Sequence, residues 1–324
     1  MKKTSILIPC YNVNEFALNR MFYSIYQQDF DNIEVIMIND GSTDNTLIQL
    51  EKWKKKFITR GYNANVLTKS NGGIASAINL GLSYFTGDYI CFLDADDILY
   101  NNYVSMMVNI LEENVHMNWV RCHAEVVYEN NINKCIKIID SNKKYYGKNS
   151  FKEYLLILLD PVVWTLMIKS DYLKKCIPAL HLYENNGPQE WQIVLPISYY
   201  EPCIHLPYLL YKHIKYNMSH SKKTQIDFTS YKKHMDLDNE SQQIVLKSLP
   251  LNNHQLYIDM GYLGYIKTLR NQFGNETLNI CEANLCVLYK KYMNIQLHED
   301  QVSDRNGFYY YINKLTNFFI NNDF

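Results

Sequence analysis

The chain has 324 residues, enough for a catalytic domain with an accessory region, and is 47% hydrophobic and 20% charged, a globular composition. Its 32 basic and 33 acidic residues leave a formal net charge of −1, which gives no electrostatic basis for a nucleic-acid partner. The eight cysteines form no C-x-x-C pair and read as reduced core thiols of a cytoplasmic protein, not as a disulfide or zinc framework.

The N-terminus, Met1-Lys2-Lys3-Thr4-Ser5, enters a strand at once and leaves no room for a signal peptide. Ser5 to Ile8 is a short apolar strand, and Glu15 to Gln27 carries Leu18, Met21, Phe22 and Ile25 at helical spacing. Glu34 to Ile38 is a second strand, after which Ser42 or Thr43 is expected to cap a helix ending near Lys54-Lys55-Lys56. Asn65 to Thr68, the helix Ile74 to Ser83, the strand Tyr89 to Leu93 and the helix Asn101 to Glu113 complete the first half. Strands that are apolar throughout, separated by helices, predict an α/β fold with a parallel sheet covered on both faces. Ligands of such sheets sit beyond the carboxyl ends of the strands. Asn12, Asp40, Asn71, Asp94 and Asp96 each follow one of those ends.

From Trp119 to Tyr216 strand-like pieces (Trp119–Tyr128, Cys203–Tyr211) flank helices at Phe151–Leu159 and Gln189–Tyr199. Beyond residue 224 the pattern is helical: Phe228–Leu249, Asn252–Phe273, Glu276–Asn294 and Arg305–Ile320. The expected organisation is a catalytic domain over 1–223, with a nucleotide-binding half 1–118 and an acceptor half 119–223, then a helical region 224–324. The longest apolar stretch, Tyr154 to Ile168, is too short to span a bilayer and is broken by Asp160 and Pro161.

Three segments carry chemistry. Asp40-Gly41-Ser42-Thr43-Asp44 places a carboxylate that can accept from a base N–H beside a glycine that permits a tight turn. Its plainer reading is a strand–turn–helix cap. Ser70-Asn71-Gly72-Gly73 opens a helix with a glycine-rich turn suited to close phosphate or ribose approach. Asp94-Ala95-Asp96-Asp97 crowds carboxylates at a sheet edge, where they repel one another without a cation; hard divalent ions bound to phosphates need only one or two such ligands. Its plainer reading is an Asp-rich helix start favoured by the dipole. The chain has no G-x-G-x-x-G and no G-x-x-x-x-G-K-[ST], so dehydrogenase and P-loop readings lose their main support.

Taken together, Ser5-Ile6-Leu7-Ile8-Pro9-Cys10-Tyr11-Asn12, Val35 to Asp44, Asn71 to Gly81 and Gly87 to Asp97 resemble glycosyltransferase family 2 in order and spacing. The resemblance covers roughly the first 110 residues and is loose beyond them. It implies the GT-A fold, Rossmann-like, followed here by an α-helical C-terminal region. It also implies an inverting, metal-dependent transfer from a UDP-sugar, with Mn2+ or Mg2+, to a glycan, lipid-linked or protein-linked acceptor of bacterial capsule, lipopolysaccharide or glycoprotein type. By position, Pro9, Tyr11, Asn12 and Glu15 would line the base pocket, with Tyr11 stacked on uracil. Asp40 would bind the uracil edge; Asn71, Gly72 and Ala95 would border the nucleotide sugar. Asp94 would face the ribose and Asp96 the metal. The family's A-R-N-x-G segment has Ile78 where arginine is usual, which weakens the donor role of the adjacent Asn79.

Inversion needs a carboxylate to take the acceptor proton. Gly187-Pro188-Gln189-Glu190-Trp191-Gln192 resembles the family's acidic turn at a helix start, with Gln189 in place of the first acid, and makes Glu190 the expected base. Asp171 and Glu184 are the fallback candidates, and Trp164 and Trp191 are either sugar platforms or core. Tyr211-Lys212-His213 and Ser219-His220-Ser221 resemble the family's closing segment, with His220 the expected metal ligand. Phe308, Tyr311, Ile312, Leu315, Phe318 and Phe319 form an apolar stripe that can pack on the protein, form a homodimer interface or lie on a membrane, with packing the default. The protein is thus expected in the cytoplasm, at most peripheral at the inner face of the membrane. Two rival functions stand beside the transferase: a non-catalytic nucleotide-sugar binding module, and a sugar nucleotidylyltransferase, which the Pro9-Cys10-Tyr11-Asn12 loop disfavours because it lacks a Gly- and Arg-rich phosphate loop.

Overall fold

The computed structural model describes residues 2–139, 150–184, 189–216, 227–273 and 277–322. The chain divides into two compact units, one of Met1–Lys148 and Val162–Ser219 and one of Asn149–Pro161 and His220–Phe324.

The first unit opens with β1 (Thr4–Cys10), α1 (Glu15–Tyr26), β2 (Ile33–Asp40), α2 (Thr46–Arg60), β3 (Asn63–Lys69), α3 (Ile74–Leu82) and β4 (Tyr89–Phe92). It continues with β5 (Ile98–Leu99), α4 (Tyr103–Glu113), β6 (Trp119–Tyr128) and β7 (Asn131–Ile139). After α5 (Phe151–Leu155), which belongs to the second unit, come β8 (Leu166–Lys169), α6 (Ser170–Cys176), α7 (Glu190–Tyr200) and β9 (Ile204–Lys215). The strands form one sheet in the order β3-β2-β1-β4-β8-β6-β9-β5, with β7 on β6.

The first four strands of that order run parallel, as their apolar runs predict. The sheet then turns mixed: β8 is antiparallel to both β4 and β6, while β9 is parallel to β6. β2 is buried at every position, and β1 at all but Pro9, because helices cover both faces. Ile6, Ile8, Val35 and Met37 join one core with Leu18, Met21 and Phe22 of α1, Leu50 and Phe57 of α2, and Met107 and Leu111 of α4. On the opposite face Leu7 and Ile38 press on Gly81 of α3, where a Cβ would come within 2.8 Å of Leu7. Each fully buried Leu or Ile contributes about 1.5–3 kcal/mol, so this two-sided burial is what holds the strand ends, and the loops after them, in place.

Two local expectations need correction. α2 begins later than the Ser42/Thr43 cap implies: Asn45 precedes it without a side-chain cap, and Ser42 and Thr43 instead engage Asn12. β7 and β8 were not anticipated, since β7 is an exposed edge strand and β8 lies inside the apolar run after Tyr154. All eight cysteines are free, and only Cys135 is exposed.

The second unit consists of α5, α8 (Phe228–Ser248), α9 (His254–Phe273), α10 (Leu278–Met293), α11 (Glu299–Val302) and α12 (Arg305–Asn321). Phe308, Ile312, Leu315 and Phe319 are fully buried within it. Tyr311 sits edge-on to Tyr289 of α10, and Phe319 edge-on to Tyr292. The apolar stripe of α12 is therefore the seam of its own helical unit and not a free face. No helix among the described residues is long and apolar enough to cross a membrane.

Candidate active site

Because β1 to β4 are parallel, the loops that leave their carboxyl ends rise from one edge of the sheet. Side chains stitch these loops together. Asn12, with φ of 48°, accepts through Oδ1 from the Thr43 N–H at 2.8 Å, and its own N–H donates to Ser42 Oγ at 3.1 Å. Gly41 takes φ of 71°, and a Cβ there would stand 2.5 Å from the Asn71 nitrogen, so the second and third loops touch only because residue 41 is glycine. Asp40 is buried beneath them: Oδ1 accepts from Lys69 Nζ at 2.9 Å and Gly72 N–H at 3.0 Å, Oδ2 from Gly73 N–H at 2.8 Å, and its carbonyl from Asn71 Nδ2 at 3.0 Å. The glycine turn that opens α3 is thus folded around the Asp40 carboxylate, with Gly73 at φ of 84°. Tyr11, 51% exposed, stands free on this rim. Glu15, in the first turn of α1, accepts from Gln49 Nε2 at 2.7 Å.

After β4 the acidic loop divides its labour. Asp97 is fully buried and accepts from Tyr211 Oη at 2.8 Å, from His213 Nδ1 at 3.0 Å and from the Ile214 N–H at 2.7 Å, strapping the loop to β9. Trp164 stacks on both rings, 4.5 Å from Tyr211 and 5.3 Å from His213, and is a buttress of the site rather than an open platform. Trp191 is likewise buried. Burial acts to lower the His213 pKa, yet the Asp97 hydrogen bond and charge, joined by Asp94 and Asp96, raise it overall. Burial, then the charge of Asp97, pushes Asp96 up to about 6 against the opposing pull of His213 and Arg20. Asp94 is held well above the usual carboxylate range by burial, then by Asp97, Asp96 and Glu190.

Glu190 is therefore close enough to be felt by Asp94, although 94 and 190 come from opposite halves of the unit. Its Oε1 accepts from Gln189 Nε2 at 3.2 Å, while its Oε2 is buried with no hydrogen-bond partner among the described residues. Burial raises this carboxyl to about 7. The two fallback carboxylates are elsewhere occupied: Glu184 is exposed and accepts from Asn79 Nδ2 at 3.0 Å, and Asp171 is exposed beside Lys174 at 3.9 Å. His220, with its neighbours Ser219 and Ser221, lies outside the described residues.

Among the described residues no three His, Cys, Asp or Glu side chains converge to hold a metal by themselves. The donor set nonetheless fits a hard divalent ion that keeps phosphate and water ligands. Burial first, and then their neighbouring carboxylates, hold Asp94 and Asp96 up, and the Asp96 carboxylate has no side-chain partner among the described residues.

A family model for "Glycosyl transferase family 2" matches residues 5–176, more than half of the chain. The chain belongs to glycosyltransferase family 2. An uncharacterized glycosyltransferase of Haemophilus influenzae is 34% identical over 130 residues, 39% of this chain and 38% of that protein. The minor teichoic acid biosynthesis protein GgaB of Bacillus subtilis is 33% identical over 152 residues, 43% of this chain and 16% of that protein. The chain thus spans well under two thirds of the length of these curated relatives. Among solved structures, S. aureus TarS 1–349 in complex with UDP-GlcNAc aligns with a TM-score of 0.60 over 95% of this chain and 80% of that one, at 15% identity. The likeness establishes the GT-A fold with a helical C-terminal region.

At the position where the family 2 pattern has arginine, Ile78 is buried in α3. The Asn79 Oδ1 accepts from the Leu182 N–H at 2.7 Å and its Nδ2 donates to the Leu182 carbonyl at 2.9 Å, clamping the 182–184 segment to α3. Ala95, expected to border the nucleotide sugar, is buried. Sequence reasoning placed Asp97 in the acidic run without a role and passed over Arg20, which reaches the Asp96 carbonyl from α1. The spacing of Arg20, one helical turn inside the first helix, offers no signal of that reach.

Proposed function

We propose that this family 2 protein is an inverting glycosyltransferase that moves a hexose or N-acetylhexosamine from a UDP-sugar to a hydroxyl of a glycan, glycolipid or glycoprotein, with Mn2+ or Mg2+. The observation that carries the reading is the unpartnered, buried Oε2 of Glu190 held within electrostatic reach of the Asp94–Asp97 loop. A carboxyl raised to about 7 is poised to take a proton near neutral pH. The choice of UDP draws on the TarS complex with UDP-GlcNAc, and the acceptor class on the naming of GgaB for teichoic acid biosynthesis.

In this mechanism Tyr11 stacks on uracil from the exposed rim, and Pro9, Asn12 and Glu15 shape that end of the pocket. Asn71, Gly72 and Asp40 present the turn that meets the nucleotide, with the spare lone pair of Asp40 Oδ2 for the uracil edge. Asp94 borders the ribose, and Asp96 would hold the metal. When bound, the ion supplies counter-charge to the diphosphate. The acceptor oxygen attacks the anomeric carbon from the face opposite the diphosphate; the new C–O bond forms as the bond to the diphosphate oxygen breaks. Glu190 receives the acceptor proton in the same displacement. The free thiols suit a reducing, cytoplasmic setting.

The test is Glu190→Gln assayed with donor and acceptor. The reading expects sugar transfer to fall at least ~100-fold, the scale of a lost general base, with UDP affinity retained. Transfer at the wild-type rate removes Glu190 from the mechanism.

A further inference from the structure

The Asp94–Asp97 turn is pinned at two points besides the metal-facing carboxylate. One is the Asp97 side chain, fixed by β9. The other is the Asp96 carbonyl. Arg20, half-buried on α1, donates from Nη2 to that carbonyl at 3.1 Å and to Tyr216 Oη at 2.8 Å. Tyr216 Oη in turn donates to the same carbonyl at 3.3 Å. Three elements remote in sequence thus meet on one backbone oxygen: α1, the loop after β4 and the residue that follows β9. The Nε of Arg20 is buried with no partner among the described residues, so the guanidinium has been desolvated for this contact at a cost. An arginine that only decorated the surface would keep all its donors in water.

The consequence for the site is geometric. The Asp96 carbonyl defines the plane of the peptide joining Asp96 to Asp97, and the Asp97 side chain fixes the other end of that peptide. With both held, the direction of the Asp96 Cα–Cβ bond is set before any ligand arrives. We propose that Arg20, relayed by Tyr216, is a positioning residue that orients the Asp96 carboxylate toward the metal–diphosphate. The proposal rests on the reading of Asp96 as the metal-binding carboxylate. Arg20 acts through the backbone of Asp96 and touches neither metal nor nucleotide.

The experiment is a Mn2+ titration in the presence of saturating UDP, read by the paramagnetic resonance signal of free Mn2+, for wild type, Asp96→Asn, Arg20→Met, Arg20→Lys and Tyr216→Phe. Calorimetry of UDP without metal runs beside it. Partners that orient a metal ligand are worth about 10–100-fold in affinity. Arg20→Met is expected to weaken Mn2+ binding at least about 10-fold on that scale and to leave metal-free UDP affinity unchanged. Tyr216→Phe removes one hydroxyl and is expected to shift Mn2+ affinity in the same direction by less. Arg20→Lys is expected to recover part of the loss, because an ammonium can reach one acceptor but lacks the planar fork for both. Tyr216→Phe keeps the test decisive if Arg20→Met does not fold. Wild-type Mn2+ affinity in the Arg20 and Tyr216 variants overturns the proposal. So does an equal loss of metal-free UDP affinity in Arg20→Met, which would make Arg20 a phosphate ligand. If wild type binds no Mn2+ with UDP, or Asp96→Asn binds it as wild type does, the metal role of Asp96 falls first and the positioning role with it.

Discussion

The raised pKa of Glu190 has a thermodynamic consequence that does not depend on knowing the substrate. In the unfolded chain this carboxyl titrates at the usual 4.5, and burial moves it to about 7 in the folded protein. The sign follows directly. Below the unfolded value the carboxyl is protonated in both states and costs nothing. As pH rises between the two values the unfolded chain ionises first, so stability falls, and the loss is complete only above the folded value. From the two pKa values the penalty grows by ~2.5 kcal/mol between pH 5 and pH 8. Glu190→Gln removes the titration. It leaves an amide in a site with no partner for Oε2, but that cost is the same at every pH and cancels. Urea unfolding of both proteins at pH 5 and pH 8 is the assay. The stability of Glu190→Gln relative to wild type is expected to rise by ~2.5 kcal/mol over that interval, in a variant with no transferase activity. A difference that stays constant would mean that the folded protein ionises Glu190 as freely as the unfolded chain does, and the buried-base reading fails.

Other expectations follow from single contacts. Asp97→Ala strands three donors in a buried place and is expected to destabilise the protein by about 3–5 kcal/mol, whereas Asp97→Asn, which still accepts from Ile214, costs less; urea melts that match wild type for both would refute the strap. Gly41→Ala forces a left-handed residue with a Cβ 2.5 Å from the Asn71 nitrogen; a loss of roughly 1–2 kcal/mol from the backbone alone, with weaker UDP binding by calorimetry, is the expected result, and unchanged UDP affinity would detach this turn from the nucleotide. Phe308→Ala, at a fully buried position of the helical unit, is expected to cost about 3–5 kcal/mol. A loss below ~0.5 kcal/mol, the range of surface substitutions, would mean that the α12 stripe is not packed.

Much of the first unit was legible because β1, β2 and β4 each carry a short apolar run, and Asn12, Asp40 and Asp94 lie at or within two residues of their carboxyl ends. The boundaries of α8, α9 and α12 also fall within a few residues of the helical spacing. What escaped the sequence depends on pairing between distant segments. β8 is four residues inside an apolar run, and its antiparallel place between β4 and β6 has no periodic signature. The passage of residues 149–161 to the helical unit leaves no mark in composition. Within the site the motif found the right loops but not the division of tasks. Asp97 looks like a third acid in a row, and only donors 114 to 117 residues away reveal it as a strap. Asp40 looks like an open acceptor, and its three N–H donors come from a glycine turn and a lysine about 30 residues on. In both cases the residue type announced chemistry, and the partners that decide its role lay outside any local window.

In the proposed reaction the Asp94–Asp97 loop and Glu190 together transfer a sugar from a nucleotide. The direct measurement is nucleotide release from a panel of nucleotide sugars with Mn2+ or Mg2+ and candidate acceptors, comparing wild type with Asp96→Ala and Glu190→Gln. The account predicts metal-dependent UDP release from one UDP-sugar, lost in both variants, with Glu190→Gln still binding UDP. Release that persists in both variants, or binding of UDP and metal by wild type with no turnover for any donor and acceptor pair, would contradict it and leave a binding module in its place.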